Sequence, residues 1–126
     1  KEGKSKLQWD KVQDSGTRTA FGTGSQRDTQ DGKGRYDLIP TSMLHRLAQH
    51  YENGALKYGD NNWQKGIPYS RLMDSALRHL SQYSEGMRDE DHLAQSIFNI
   101  AAMIHFEETD REDLNDLPSF VKSEKK

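Results

Sequence analysis

The sequence contains no cysteine. Disulfides and thiolate metal sites are therefore excluded, and a reducing compartment is permitted. It also lacks any apolar run approaching the about 20 residues that cross a bilayer, and its first residues carry no apolar leader-type segment. A soluble cytoplasmic protein is the expectation, with no membrane partner. Apolar residues are scarce, 32% of 126 residues against 30% charged. That is a lean supply for a core, so either part of the chain is tail or a second subunit completes the packing. A homo-oligomer, dimer or larger, is expected on that ground. The net charge of −2 leaves no overall field to attract duplex nucleic acid. Starting on Lys1, the chain reads either as trimmed or as beginning inside a longer protein.

What is present is uneven. Residues 1–35 hold eight Lys or Arg against five Asp or Glu, while "EETDRED" (Glu107–Asp113) is acidic. The first 35 residues show no sustained period and are rich in Gly, Ser and Thr, which reads as an extended, flexible basic arm. Trp9 and Phe21 stand out in it as rings in want of a docking surface. From Pro40 onward the period becomes helical. Leu44, Leu47, Ala48, Tyr51, Ala55 and Tyr58 recur at three- and four-residue steps, with Thr41 or Ser42 as N-cap and Gly59 as terminator. Gly54 inside this helix marks either a close approach by backbone or ligand, or a weak point. "GDNNWQKGIP" (Gly59–Pro68) is a loop by composition, and Pro68 suits the first turn of a second helix. That helix carries Leu72, Ala76, His79, Leu80 and Tyr83 on its apolar stripe and ends at Gly86. A third helix is predicted over Glu90–Glu107, capped by Asp89, with Leu93, Ile97, Ile100, Ala101 and Ile104 as its core face. A short helix near Leu114–Val121 completes the pattern. No stretch reads as a strand. The predicted fold is an all-α bundle of three long helices with a short C-terminal helix and an extended N-terminal arm. Its divisions are an arm over 1–35, a helical nucleotide-binding domain over 36–110 and a tail over 111–126.

Three features carry chemistry. His92, Gln95 and Asn99 draw a polar line along the third helix, which is either a solvated face or a polar wall inside a groove. Glu52, Asp74, Arg78 and His79 lie on the first two helices, opposite the acid-rich start of the third, Asp89-Glu90-Asp91. Carboxylates converging from several helices would hold Mg²⁺ or Mn²⁺, and such an ion favours phosphate-bearing substrates. The plainer reading is an acidic helix N-terminus and an inward His79 satisfied by a hydrogen bond. The third feature is "GTGSQRDTQDGKGR" (Gly22–Arg35). Arg27, Lys33 and Arg35 with four glycines can curl around an oxyanion, although the spacing is not that of a Walker A loop. Tyr36, Lys57, Trp63 and Lys65 add rings for a base and cations for phosphates.

Three stretches taken together, "GKGRYDLIP" (Gly32–Pro40), "HYENGALKYGDNNWQKGIPYSR" (His50–Arg71) and "DSALRHLSQYSEGMRDEDHLAQSIFNIAAMIHFEE" (Asp74–Glu108), resemble a phage-borne family, the dATP/dGTP diphosphohydrolases of N-terminal type. The likeness covers about residues 15–108. Through it the chain is similar to the MazG-like all-α nucleoside triphosphate pyrophosphohydrolases, which are helical, oligomeric and Mg²⁺-dependent. The resemblance implies cleavage of a purine dNTP between the α and β phosphates, in an infected host's cytoplasm. It also implies a metal site built from an ExxE on one helix and an ExxD on the next. Neither is copied cleanly. Asp74 stands for one acid of the first, and His92 and Gln95 occupy the spacing of the second.

The enzyme reading that follows gives the Mg²⁺ or Mn²⁺ to Glu52, Asp74 and Asp91, with Asp89 beside them. Arg27, Lys33, Arg35, Lys57 and Lys65 would hold phosphates. Tyr36 or Trp63 would stack on a purine, and His79 and Asn99 would position the base or a water. The missing acids make a second reading serious, a non-catalytic sponge that sequesters a linear or cyclic nucleotide signal of host defence. A helical protein-interaction module is the third.

Overall fold

The computed structural model describes residues 14–124, with side chains described through Val121; Trp9 lies outside them. The described chain forms two compact units that divide at Pro40/Thr41.

In the first unit, where sequence periodicity offers no strand, a small antiparallel hairpin forms. Strand β1 (Arg18–Ala20) pairs with β2 (Gln26–Asp28), with Thr19 opposite Arg27. Strands of three residues are too short to display alternation, so the turn and the charges specify them. Gly24 adopts φ 95° and its amide donates to the Phe21 carbonyl at 2.9 Å, while the Phe21 amide donates to the Ser25 carbonyl. This is the three-residue hairpin that needs a left-handed last position. Asp28 ties the ends together, accepting from the Ser15 amide and hydroxyl and from Arg18 and Lys33. Those bonds, the Ser15 hydroxyl foremost, hold its carboxyl far below the ordinary carboxylate range.

The second unit contains the helices expected: α1 (Thr41–Tyr58), α2 (Tyr69–Ser84), α3 (His92–Glu108) and a shorter α4 (Pro118–Glu124). The Pro68 carbonyl accepts the amides of Arg71 and Leu72 and so opens α2. Gly86, at φ 93°, closes it, with the Met87 amide reaching back to the Gln82 carbonyl. The cap of α3 is Asp91 rather than Asp89; its carboxylate accepts the Ala94 amide at 3.1 Å. The last helix starts later than the sequence predicts because a 3-10 turn (Glu112–Leu114) comes first.

Helices α2 and α3 form an antiparallel hairpin. Its core is Tyr69, Leu72, Ala102 and Phe106, surrounded by Trp63, Ile67, Met103, Leu114 and Leu117. Burying a side chain such as Leu72 or Phe106 contributes about 1.5–3 kcal/mol. Toward the other end the contact is made by small and polar groups. The Ser96 hydroxyl donates to the Ala76 carbonyl at 3.0 Å, and Ala94, Ser96 and Asn99 are buried.

This reverses the sequence-based choice of face on α3. Leu93, Ile97, Ile100, Ala101 and Ile104 are not the buried stripe; Ile100 and Ile104 are 43% and 54% exposed. The inward face is His92, Ser96, Asn99, Ala102 and Phe106. Helix α1 lies on a further face of α3, where His50 and Tyr51 each meet Phe98 edge to face at 5.1 Å. Among the described residues no helix is long and apolar enough to cross a membrane.

Candidate functional site

The sequence of α1 sets a polar row, Arg46, Gln49, Asn53 and Lys57, at three- and four-residue steps. That spacing puts them on one face. Across from it stand Glu90, Asp91, Gln95 and Phe98 at the start of α3, and Trp63 of the 3-10 turn Asn62–Lys65. Together they line a groove of about 540 Å³.

Aromatic rings make its inner wall. Phe98 meets Tyr51, His50 and Trp63, and Trp63 also meets Phe106 at 5.8 Å and His105 at 5.1 Å, all edge to face. Trp63 is thereby part of the joint between α1 and α3 as well as groove lining. Gly54 lines the groove too, and a Cβ built there would meet nothing within 4 Å. The close-approach reading of this glycine therefore finds no protein neighbour; its absent side chain leaves groove volume open.

Charges in the groove are paired. Arg46 grips Asp91 through both ends of its fork, with Nε donating to Oδ2 at 2.9 Å. The guanidinium, aided by the Ala94 amide, lowers the Asp91 carboxyl to about 2. Glu90 accepts from the Gln95 amide at 2.7 Å, and Gln49 donates to Asn53. Lys57 lies 5.2 Å from the Tyr58 ring centre, a cation–π distance. Burial lowers the pKa of His50 on the groove wall, so it is neutral at pH 7.

The polar line of α3 is an inner wall rather than a solvated face. The Asp89 carboxylate can only accept, so His92 Nε2 donates to it at 2.9 Å. His92 Nδ1 and His79 Nδ1 share a hydrogen bond at 2.8 Å. Burial, with Arg78 and His92 beside it, lowers the His79 pKa and keeps it neutral. His79 thus takes the satisfied-core role. Asn99 donates to the Ser75 hydroxyl at 3.2 Å and to the Gln95 carbonyl at 2.7 Å.

Of the other residues singled out by sequence, Lys57, Trp63 and Asp91 line the groove and Glu52, Lys65 and Asp74 do not. Glu52 is exposed on α1, Lys65 ends the 3-10 turn, and Asp74 sits 3.9 Å from Arg78 on α2. In the hairpin unit Lys33 is paired to Asp28 at 3.1 Å and Arg35 to Asp37 at 2.7 Å, Arg27 is exposed on β2, and Tyr36 is 79% exposed. Glu52, Asp74, Asp89 and Asp91 do not gather: among the described residues no three His, Cys, Asp or Glu side chains are placed to hold a metal ion. With Asp91 taken by Arg46 and the Ala94 amide, the described residues do not fit a divalent-ion site. Arg46, Gln49, His50, Asn53 and Phe98 escaped the sequence reading, whereas Gln95 is the member of the polar line of α3 that lines the groove. The signal for the α1 members was there, a polar row on the helix face adjoining the apolar stripe.

The fold and groove define a small helical domain whose site mixes rings, amides and paired charges. A family model described as dATP/dGTP diphosphohydrolase, N-terminal, matches residues 23–116, about three quarters of the chain. The chain belongs to that family, whose name points to hydrolysis of purine deoxynucleotides. No curated protein and no solved structure matches it.

Proposed function

We propose that the chain binds a purine deoxynucleoside triphosphate, dATP or dGTP, in the α1–α3 groove. Water then attacks to break the bond between the α and β phosphates, giving the monophosphate and pyrophosphate. Membership of a family named for this activity carries the reading. The groove supports it: rings accept a flat base, and the amides of Gln49 and Asn53 offer both donors and acceptors to a base edge. His50, neutral and on the groove wall, is the group suited to take a proton from the attacking water. No step is assigned to Mg²⁺ or Mn²⁺, since the described carboxylates do not fit a site for either. In the hairpin unit, Lys33 and Arg35 must leave Asp28 and Asp37 to meet a phosphate. Arg27 joins them in that proposed role, and Tyr36 is proposed to stack on a base. Nucleotide protection of the bonds after Arg27, Lys33 and Arg35 from trypsin tests it.

The engagement of Asp91 by Arg46 and of Glu90 by Gln95 favours a second reading, a protein that binds a nucleotide and returns it unchanged. One experiment separates the two. The protein is incubated with dATP, dGTP, other nucleotides and cyclic dinucleotides, with Mg²⁺, with Mn²⁺ and with EDTA, and the nucleotides are chromatographed before and after heat denaturation. A monophosphate establishes the hydrolase and its ion requirement; an intact nucleotide released only on denaturation establishes the binder; unchanged peaks reject both.

The outer face of α3, with Ile100 and Ile104 exposed and Leu93 and Ile97 half-buried, supports a homo-oligomer that buries it. Light scattering of Ile104→Glu against the unaltered protein tests this, and an unchanged mass would remove that face from the interface.

A further inference from the structure

A second recess, about 480 Å³, adjoins the groove; Tyr58 and Phe98 line both. Its far wall is α2, where Arg71, Ser75 and Arg78 recur at i, i+4 and i+7 and so share one face. The two arginines lie about 10.5 Å apart along the helix axis at 1.5 Å per residue, with the serine between them.

Three observations point to one ligand chemistry. First, in the helical unit the other described arginines, Arg46, Arg88 and Arg111, all donate hydrogen bonds to protein acceptors. Arg71 has no such acceptor among the described residues, and Arg78 has only Asp74, 3.9 Å away. Two guanidinium forks are thus left open on one recess. Second, Asn99 donates to the Ser75 oxygen at 3.2 Å. The serine's own proton is then free to donate into the recess. Asn99 is itself buried, which fixes that geometry from behind. Third, no carboxylate lines the recess, whereas Glu90 and Asp91 line the groove next door. An anion placed in the groove meets two acids, whereas the charged side chains that line the recess are both arginines.

We infer that Arg71, Ser75 and Arg78, backed by Asn99, hold the phosphate chain of a nucleotide whose base occupies the groove, so that the ligand spans the two across Tyr58 and Phe98. This rests on the nucleotide reading above and divides it within the helical unit: α1 and α3 recognise the base, and α2 contributes phosphate recognition. Arginine is the suited residue, since its planar fork pairs two phosphate oxygens at once.

The test is calorimetric titration in EDTA of the full chain and of Arg71→Gln/Arg78→Gln, with dGTP, dATP, deoxyguanosine, deoxyadenosine and sodium tripolyphosphate as probes. Both arginines are exposed, and an unchanged melting curve certifies the fold of the variant. The expected result is that the variant binds the triphosphates at least about tenfold more weakly, a loss of about 1.4 kcal/mol. Deoxynucleoside binding is unchanged, and Ser75→Ala gives a smaller loss of the same kind. Equal dGTP and dATP affinity in both proteins would overturn the phosphate site and leave the nucleotide reading standing. Tripolyphosphate binding that is lost in the variant, with no dNTP binding by either protein, would uphold the anion site and reject the nucleotide reading. No binding of any phosphate by the unaltered chain would overturn the inference.

Discussion

Asp91→Ala and Asp91→Asn should behave differently, and the difference separates structural work from chemistry at this carboxylate. The side chain does two jobs: it accepts the Ala94 amide at the start of α3 and it holds the Arg46 fork. Losing an Asp N-cap to Ala costs about 1 kcal/mol. The second job has a ceiling. A fall from an ordinary carboxylate pKa to about 2 corresponds to about 2 kcal/mol at ~1.4 kcal/mol per unit. Part of that shift is the cap bond itself, and with the side chain 35% exposed solvent screening brings the ion-pair share to about 1 kcal/mol or less. Asp91→Ala should therefore lose about 1–2 kcal/mol, and Asp91→Asn, which keeps an acceptor for the cap, the smaller part. Urea denaturation followed by circular dichroism measures both. Because the folded pKa is depressed, the Asp91 contribution is full above about pH 4 and is lost as the pH falls toward 2. Arg46→Gln should cost little in the Asp91→Asn background. Equal stability of the Ala and Asn variants would refute the capping role, and full additivity of Arg46→Gln with Asp91→Asn would refute the pairing. The same proteins test the reading that Asp91 holds no ion: activity in Asp91→Asn at unchanged Mg²⁺ dependence upholds it, and loss of that dependence refutes it.

Gly54→Ala should stabilise α1 by about 0.5–1 kcal/mol, since a Cβ there meets nothing; if a ligand fills the groove beside it, calorimetry will show weaker binding in this more stable protein. Phe106→Ala should cost about 3–5 kcal/mol, because Phe106 is buried against Tyr69 and Trp63, and a denaturation midpoint near that of the parent would refute the core assignment. Burial depresses the pKa of both His79 and His50, so the unfolded chain takes up protons first; stability is full above about pH 6.5 and falls below it, and His79→Gln should flatten that slope in urea midpoints measured between pH 7.5 and 5.5. His50→Gln should lower turnover of a dNTP while leaving its affinity near the parent's; unchanged turnover rejects the proton-acceptor role.

Helix limits were legible because the stop signals are local. Gly59, Pro68 and Gly86 act through their own backbone geometry, and the three long helices begin and end within about two residues of where those signals put them. The hairpin was not legible, since its strands are shorter than the period that would reveal them and a turn with a hub carboxylate, Asp28, holds them instead. The choice of inward face on α3 was not legible either, for a physical reason. Periodicity shows that Leu93, Ile97, Ile100 and Ile104 share a face; it does not say what covers that face. Packing α2 closely against α3 requires small or internally bonded groups at the contact. Ala76, Ala94, Ser96 and the His79–His92 and Ser75–Asn99 pairs meet that requirement, and a row of large branched side chains does not. A polar line on a helix is therefore no evidence of solvent when each polar atom has a partner one helix away. An Ile and Leu line is no evidence of a monomer's core when a second subunit could bury it. The same reasoning locates the anion site: the arginines to notice were those whose neighbours in the fold leave their donors unspent, which only three-dimensional placement reveals.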